Sequence, residues 1–323
     1  SALFKIRETI HVDVPNVSGI IWRVGTNQNI QWTINGSLPG NLVDIFYKKG
    51  VAGAYTLITP PAGVTADSGG GTGSWSWPSI PNDIYNEVYI KVQDHSRDYI
   101  LDVSDVAFQI KGSVNVTQPQ LDEVVKVSDT AETKTVQWAL TGNVTGTAEI
   151  RLSTNGGTSY DTLLTENTVD ITTGNYPWTV LAAHMGLDNK IKVALDGDED
   201  LTSGTAGASQ KFYVKPQVKL TYPNQTGIVK SIGESMTITW NALPDDFGGA
   251  GKVNLRYSVN GAAGPYDGTI ASNIDSNLET YNWTIQDVPG MVSPTVRVKV
   301  YKNDNEADVH DESDYDFTVK GTI

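Results

Sequence analysis

One four-residue phrase recurs along the chain and determines its organisation. It consists of Phe, any residue, Ile or Val, and Lys or Arg. Its copies are Phe4-Lys5-Ile6-Arg7, Phe108-Gln109-Ile110-Lys111, Phe212-Tyr213-Val214-Lys215 and Phe317-Thr318-Val319-Lys320. The phenylalanines lie 104, 104 and 105 residues apart. A repeat of that length is a whole domain, so the sequence predicts a tandem array of similar domains.

The spacing also predicts the domain boundaries. We expect domains at residues 10–112, 113–215 and 216–323, each close to the ~100 residues of a small β-sandwich. The first copy of the phrase has no domain in front of it. Residues 1–9 are therefore predicted to be an orphan closing strand of a preceding repeat, or a linker, and the chain a three-domain piece of a longer array.

Short runs of alternating apolar and polar residues fill each copy, a pattern typical of strands with one buried face. Tryptophan recurs at two equivalent strand positions in all three copies. One position holds Trp32, Trp138 and Trp240, and the other holds Trp77, Trp178 and Trp283. Such recurrence favours core packing over a sugar-binding platform. With seven strands in each copy, the sequence predicts an all-β chain of three tandem immunoglobulin-like or fibronectin type III-like β-sandwiches.

Composition excludes several classes of partner. The formal net charge is -14 and the isoelectric point is about 4.6, which opposes binding to nucleic-acid phosphates. The chain has no Cys, which excludes disulfides, thiolate nucleophiles and Cys-type zinc sites. No apolar run approaches the ~20 residues that span a bilayer. We therefore expect no nucleic-acid partner and no direct membrane insertion.

Catalytic motifs are not evident in the sequence. The four histidines share no metal-binding spacing, occupy different places in the repeats and are predicted to be exposed or in loops. They are His11, His95, His184 and His310. There is no nucleophile elbow, phosphate-binding loop or dinucleotide fingerprint. We predict a non-catalytic chain, and no cofactor is indicated with certainty. An enzyme would require a site carried by loops.

Carboxylates cluster between the sixth and seventh strands. In the second and third copies they include Asp196, Asp198, Asp200, Asp304 and Asp308. In an immunoglobulin-like sandwich this segment lies at the end where the chain enters, so it should face the closing strand of the preceding domain. Carboxylate oxygens suit Ca²⁺, and we predict a calcium site between domains. The alternative is a solvated acidic loop that Lys111 or Lys215 partly neutralises.

The combined motifs resemble a known surface module. They comprise a Pro after the first strand, an (Ile/Val)-x-Trp strand, a (Trp/Tyr)-x-Trp strand and a closing Ser-Asp-x-x-Phe-x-(Ile/Val) element at residues 104–110 and 313–319. This set is similar to the N-terminal module of the Ser/Thr-rich GPI-anchored surface protein family and to modules of bacterial S-layer-like proteins. The second copy departs from it at residues 207–211. The resemblance implies a non-catalytic role at the cell surface or wall.

Two functions follow from these patterns. Short linkers predict a semi-rigid rod, a structural segment of a large extracellular surface protein (an S-layer or stalk) whose partners are neighbouring repeats or further copies. The alternative is an adhesin or glycan-binding module that uses domain-end loops and exposed aromatics such as Trp22 and Tyr99. A cluster of exposed aromatics confined to one copy would favour binding, whereas equivalent polar surfaces on all copies would favour the rod.

Overall fold

The computed structural model describes residues 8–128, 133–165, 169–202 and 210–322, and of residues 199–202 only the backbone. The predicted orphan strand Phe4–Arg7 lies outside the described residues. The first sandwich contains β1 (Thr9–Val14), β2 (Ile21–Arg23), β3 (Gln28–Asn35), β4 (Leu42–Lys49), β5 (Thr56–Leu57), β6 (Val64–Thr65), β7 (Thr72–Trp77), β8 (Tyr85–Asp94), β9 (Leu101–Val103) and β10 (Phe108–Lys111).

The second and third sandwiches repeat this series. The second contains β11 (Ser113–Gln118), β12 (Val124–Lys126), β13 (Lys134–Thr141), β14 (Thr147–Ser153), β15 (Thr162–Leu163), β16 (Val169–Asp170), β17 (Asn175–Trp178), β18 (Gly186–Leu195), β19 (Asp198–Thr202) and β20 (Phe212–Lys215). The third contains β21 (Gln217–Tyr222), β22 (Val229–Ser231), β23 (Ser235–Leu243), β24 (Lys252–Ser258), β25 (Gly268–Asp275), β26 (Thr280–Thr284), β27 (Ser293–Lys302), β28 (His310–Glu312) and β29 (Phe317–Lys320). Short 3₁₀ turns lie at Pro39–Asn41, Ile171–Thr173, Ala182–His184, Gly261–Ala263 and Ser276–Leu278.

Each sandwich pairs a small sheet with a larger one. In the first sandwich the small sheet has the order β1-β3-β7 and the large sheet β2-β10-β8-β4-β5. The second sandwich has β11-β13-β17 and β12-β20-β18-β14-β15, and the third has β21-β23-β26 and β22-β29-β27-β24-β25. The closing strand of each sandwich runs parallel to the short second strand, while its other neighbour is antiparallel. The chain is therefore all-β, with three tandem immunoglobulin-like sandwiches.

The recurring tryptophans pack in the cores, as the sequence predicts. On the third strand of each copy the indole Nε1–H of Trp32, Trp138 or Trp240 donates a hydrogen bond to a buried backbone carbonyl, at 2.8, 2.7 and 2.9 Å. Burial of one such ring removes roughly 150–250 Å² from water, about 4–6 kcal/mol at 25 cal/mol/Å². The repeated phenylalanines of the closing strands are also buried. Each sandwich thus has an independent core.

The crossover from the first strand to the second corrects one expectation about an exposed aromatic. The first strand pairs with one sheet, its register shifts at Val14, and β2 then pairs with the closing strand of the other sheet. Trp22 lies in β2 and is only 5% exposed, because it packs on Phe108 at 4.4 Å and on Trp77 at 6.2 Å between ring centroids. It is a core residue and not a ligand platform. Tyr99, by contrast, is 61% exposed, as predicted.

One histidine lies in a turn between strands, in line with the prediction of an exposed or loop position, but is buried. His184 lies in the 3₁₀ turn before β18 and is buried, whereas the other three histidines are exposed. Its Nδ1 accepts hydrogen bonds from Trp178 Nε1–H at 3.2 Å and from the Leu181 amide at 3.0 Å. Nδ1 is therefore unprotonated, and burial lowers the pKa of this imidazole. The residue is a neutral packing element of the second sandwich.

Aspartates in and just before the closing Ser-Asp element of the first and third sandwiches bond to the first strand or to the turn that follows it. The carboxylate of Asp102 accepts a hydrogen bond from the Val12 amide at 2.8 Å, and Asp311 accepts one from the Leu220 amide at 2.7 Å. β1 and β21 are edge strands of their sheets, and these carboxylates supply the acceptors for the two amides. The following aspartates, Asp105 and Asp314, bond to Asn16 and Asn224 respectively. The motif behind the family resemblance is thus a structural clasp.

Candidate functional site: the two interdomain junctions

Single residues connect the sandwiches. Gly112 alone separates β10 from β11, and Pro216 alone separates β20 from β21. One residue spans at most about 3.6 Å, so consecutive sandwiches must be in contact. We call the end of a sandwich that carries the last residue of its closing strand its trailing end. The leading end of the second sandwich carries the loop between β13 and β14 (142–146) and the turn between β18 and β19 (196–197). That of the third carries the loop between β23 and β24 (244–251) and the turn between β27 and β28 (303–309).

Apolar contacts fill the first junction. Ile84, on the trailing end of the first sandwich, packs against the core of the second. A Cβ added at Gly112 would overlap the Val144 side chain and lie 2.6 Å from the Thr141 carbonyl oxygen. Across the same contact the Asn143 amide donates a hydrogen bond to the side-chain oxygen of Asn82 at 2.8 Å. The leading end of the second sandwich therefore fits closely against the first.

A buried lysine completes this junction. Lys111 is the last residue of β10 and is only 6% exposed. Its ammonium donates to both carboxylate oxygens of Asp198, at 2.9 and 3.0 Å. Removing one partner of a fully buried pair costs about 3–5 kcal/mol, and less here because Asp198 remains partly solvated. The ion pair therefore favours one orientation of the second sandwich on the first.

The second junction uses the same chemistry with different loops. Lys215, the last residue of β20, pairs with the Asp308 carboxylate, and Lys126 donates to the Asp308 carbonyl oxygen. The hydrogen bond from Lys215 lowers the pKa of Asp308, and burial lowers the pKa of Lys126. On the apolar side, Met185 Cε would lie 2.6 Å from a Cβ added at Gly248. Both junctions thus join a closing-strand lysine and an apolar residue to the next sandwich.

The predicted calcium ligands divide between the junctions and the solvent. Asp198 and Asp308 lie at the junctions, whereas Asp196 is exposed and Asp304 pairs with Lys302, which lowers the pKa of Asp304. Asp200 lies in β19, where the structure describes only its backbone. Within the described residues no group of three or more acidic or histidine side chains is arranged to hold a metal ion. The calcium site stays a prediction. The pairing of Asp198 and Asp308 with Lys111 and Lys215 agrees with the alternative, an acidic loop that these lysines partly neutralise.

Sequence reasoning missed the apolar half of each junction. The contacts of Ile84 and Met185 were not predicted, nor was the role of Lys126. The sequence did contain a signal for this contact, because Ile84 and Met185 occupy equivalent positions immediately before β8 and β18. A non-polar residue repeated at a strand edge indicates a contact surface once the neighbouring domain is known to lie there.

Comparison with known proteins adds little. No protein family matches the chain, and no curated protein does. Two solved chains described as marsupial T cell receptor match with 9% and 10% identity and TM-scores of 0.27 and 0.24, covering 95% of this chain and 99% of their own. TM-scores this low carry no information about the function of the chain. No helix in the described part of the chain is long and apolar enough to cross a membrane.

Proposed function

We propose that the chain is a non-catalytic, semi-rigid rod, a structural segment of a large extracellular surface protein such as an S-layer or stalk. The observation that carries this proposal is the lysine-carboxylate pair at both junctions, Lys111 with Asp198 and Lys215 with Asp308. An immunoglobulin-like sandwich suggests a non-enzymatic domain, but a fold does not define a function, so the proposal rests on the junctions.

Three restraints act together at each junction. A one-residue linker limits translation, the contact of Ile84 or Met185 limits tilt, and the ion pair limits rotation about the long axis. Domains in one chain move relative to one another unless their interface is well packed. Here a contact that includes apolar packing and a partly buried charge pair opposes that motion. A chain with these restraints holds its sandwiches at a fixed spacing and orientation, as a stalk or lattice requires.

Other properties support a surface location. The net charge of -14 keeps a repetitive chain soluble and disfavours contact with anionic lipid. The closing Ser-Asp clasp is the element that resembles modules of surface proteins. Antibodies raised against the chain should label intact cells of the source organism. Labelling only after the cells are permeabilised would contradict the proposed location.

A charge exchange tests the rod. Lys111→Asp alone and Asp198→Lys alone each place like charges together at the first junction, so both variants should become more flexible in small-angle X-ray scattering. The double variant restores the pair and should recover the scattering of the natural chain. Lys252→Asp breaks an exposed pair with Asp275 inside the third sandwich and serves as the matched control, which should not change the scattering. Single variants that scatter like the natural chain would refute a role for the ion pair.

A second candidate function is supported by a cluster of aromatic rings and lysines on the first sandwich. On the outer face of its large sheet the Lys91 ammonium lies 4.0 Å from the ring centroid of Phe46 and 4.4 Å from that of Tyr55. The Lys48 ammonium lies 5.2 Å from Tyr55 and 5.3 Å from Tyr89. Tyr55 is exposed, and the other two rings are partly buried.

This cluster has a partial counterpart in the third sandwich, where Lys299, at the position of Lys91, lies 5.6 Å from the ring centroid of Tyr266, and Arg256 lies 5.6 Å from that of Tyr301. Neither of those two rings is exposed as Tyr55 is. The strand register places Arg151 and Arg256 at the position of Phe46 in the second and third sandwiches, and Ser153 and Ser258 at the position of Lys48. Rings beside ammonium groups suit an acidic glycan, because a sugar ring packs on an aromatic face while its carboxylate pairs with lysine. We therefore propose, as the alternative function, that the first sandwich binds an acidic cell-surface glycan.

Titration with an oligogalacturonate tests the alternative. Tyr55→Ala and Lys91→Ala should each weaken binding to the full chain. Lys192→Ala, at the position of Lys91 in the second sandwich, is the matched control and should bind as the natural chain does. No binding by the natural chain, or equal binding by all variants, would contradict a glycan site at this face.

A further inference from the structure

The trailing end of the third sandwich carries the same elements as the two ends that form junctions. Ile84, Met185 and Val292 immediately precede β8, β18 and β27. The first residue of each of these strands pairs with the closing strand of its sandwich. Lys111, Lys215 and Lys320 are the last residues of β10, β20 and β29. An apolar residue and a lysine therefore occupy equivalent positions on all three trailing ends.

The environments of these residues differ. Ile84 and Met185 are partly buried, Ile84 against the second sandwich and Met185 facing Gly248 of the third, whereas Val292 is 60% exposed. Lys111 is buried in its ion pair, but Lys320 is exposed and has no carboxylate partner within the described part of the chain. The third trailing end thus presents both halves of a junction surface without a cover.

The backbone beneath this surface already has the junction geometry. The carbonyl oxygen of the closing lysine accepts an amide hydrogen bond from the residue after the short second strand in every sandwich. The distances are 3.0 Å for Val24 to Lys111, 2.9 Å for Val127 to Lys215 and 2.9 Å for Ile232 to Lys320. The backbone at the end of the closing strand is therefore arranged alike in all three sandwiches.

We propose that the trailing end of the third sandwich, formed by Val292, Lys320 and Gly321, docks the leading end of another immunoglobulin-like sandwich. That partner presents an apolar side chain beside a glycine on its leading loop, as Val144 and Phe247 do near Gly142 and Gly248. It also presents an Asp or Glu near the turn of its last hairpin. Charge complementarity and the two junctions already formed select this occupant. The inference rests on the proposed rod function and names the partner of this surface.

The first sandwich of a second copy matches this chemistry only in part. Its leading-loop apolar residue, Leu38, is buried in its own core. The turn of its last hairpin (95–100) carries Arg97, which contacts the buried Asp94 carboxylate at 3.4 Å, next to the exposed Asp98. The positive charge of Arg97 would oppose the attraction between Asp98 and Lys320. We therefore expect the chain not to associate head to tail with itself.

An extended chain tests the docking surface. Residues 113–215 are appended directly after Gly321, so that Gly321 takes the place of Gly112 and the added sandwich brings its own Val144 and Asp198. Because the chain has no Cys, spin labels attach only to cysteines introduced at Leu278 and at Leu121 of the added copy, both exposed. We expect one narrow distance distribution between the labels.

Variants separate specific docking from mere tethering. Val292→Asp and Lys320→Glu should each lose the narrow peak, and Asp198→Lys in the added sandwich should restore it for Lys320→Glu. Melting of the added sandwich as an additional transition shows that it is folded. A broad distribution in the unmodified extension would overturn the proposal, while a narrow one between the first and second sandwiches would leave the rod intact.

The unextended chain gives a second outcome. Sedimentation should show a single monomeric species at micromolar concentration. Self-association that Val292→Asp abolishes would place a second copy at this surface and overturn the proposed partner.

Discussion

Gly112→Ala probes the closeness of the first junction. The added Cβ would lie 2.6 Å from the Thr141 carbonyl oxygen, whereas ordinary contact begins near 3.4 Å, so this oxygen must withdraw by about 0.8 Å. It belongs to the backbone and cannot rotate away, and the Val144 side chain is overlapped as well. Overpacking of this kind costs about 1–3 kcal/mol.

The chain supplies a matched control for this substitution. Gly321 occupies the equivalent position after the third sandwich, and among the described residues a Cβ there would meet only Val292 Cγ2, at 3.9 Å. Neither glycine has a positive φ, so Ala is not strained by the backbone at either site. An unstrained Gly→Ala change stabilises a protein by about 0.4–1 kcal/mol, because it restricts the unfolded chain. The two substitutions should therefore have opposite signs.

Calorimetry of the full chain measures both effects. Three sandwiches are not expected to unfold in one two-state step, so the transitions are compared individually. For a domain of 60–100 residues each 1 kcal/mol shifts Tm by roughly 4–8 °C. Gly112→Ala should lower the transition of the first or second sandwich by several degrees on this scale and leave the third unchanged. If Gly112→Ala instead matches Gly321→Ala in sign and size, the close contact at the first junction is refuted.

Three further predictions concern protons, a clasp and a metal. Because burial lowers the pKa of His184, the unfolded chain binds a proton near pH 6.5 that the folded second sandwich does not, so stability should fall below about pH 6.5 by at most about 1.4 kcal/mol per pH unit. Melting curves of His184→Gln at pH 7 and pH 5 should lose that dependence, and an unchanged dependence would contradict it. Asp311→Ala leaves the buried Leu220 amide without its acceptor and should cost about 1–3 kcal/mol in calorimetry, whereas Asp304→Ala, at an exposed carboxylate, should cost much less. Calcium bound between the sandwiches would raise Tm by mass action and chelation would reverse it, so an unchanged Tm during a calcium titration would contradict the calcium site.

Much of the fold was predictable because it repeats. Phe108 and its counterparts occur at nearly equal spacing, and a buried aromatic on a closing strand needs only its own strand pattern to be recognised. The approach of the acidic segments to Lys111 and Lys215 was also predictable, because it follows from the topology of tandem sandwiches. These features depend on order along the chain and not on the details of packing.

The remainder depends on contacts between distant residues. Trp22 lies in a three-residue strand that exists only through its parallel pairing with β10, so no local pattern reveals it. His184 is buried by Trp178 and by its own turn, which a single residue in the sequence does not indicate. An acidic pattern likewise does not distinguish a metal ligand from Asp102, whose partner is a backbone amide.

The distance between spin labels on the first and second sandwiches tests the rod most directly. Val51→Cys and Leu121→Cys place one label on each, at exposed positions in a chain that otherwise has no thiol. Junctions restrained by the linker, the Ile84 contact and the Lys111 pair predict a single narrow distance distribution. A broad distribution, as expected for two domains on a flexible linker, would contradict the rod.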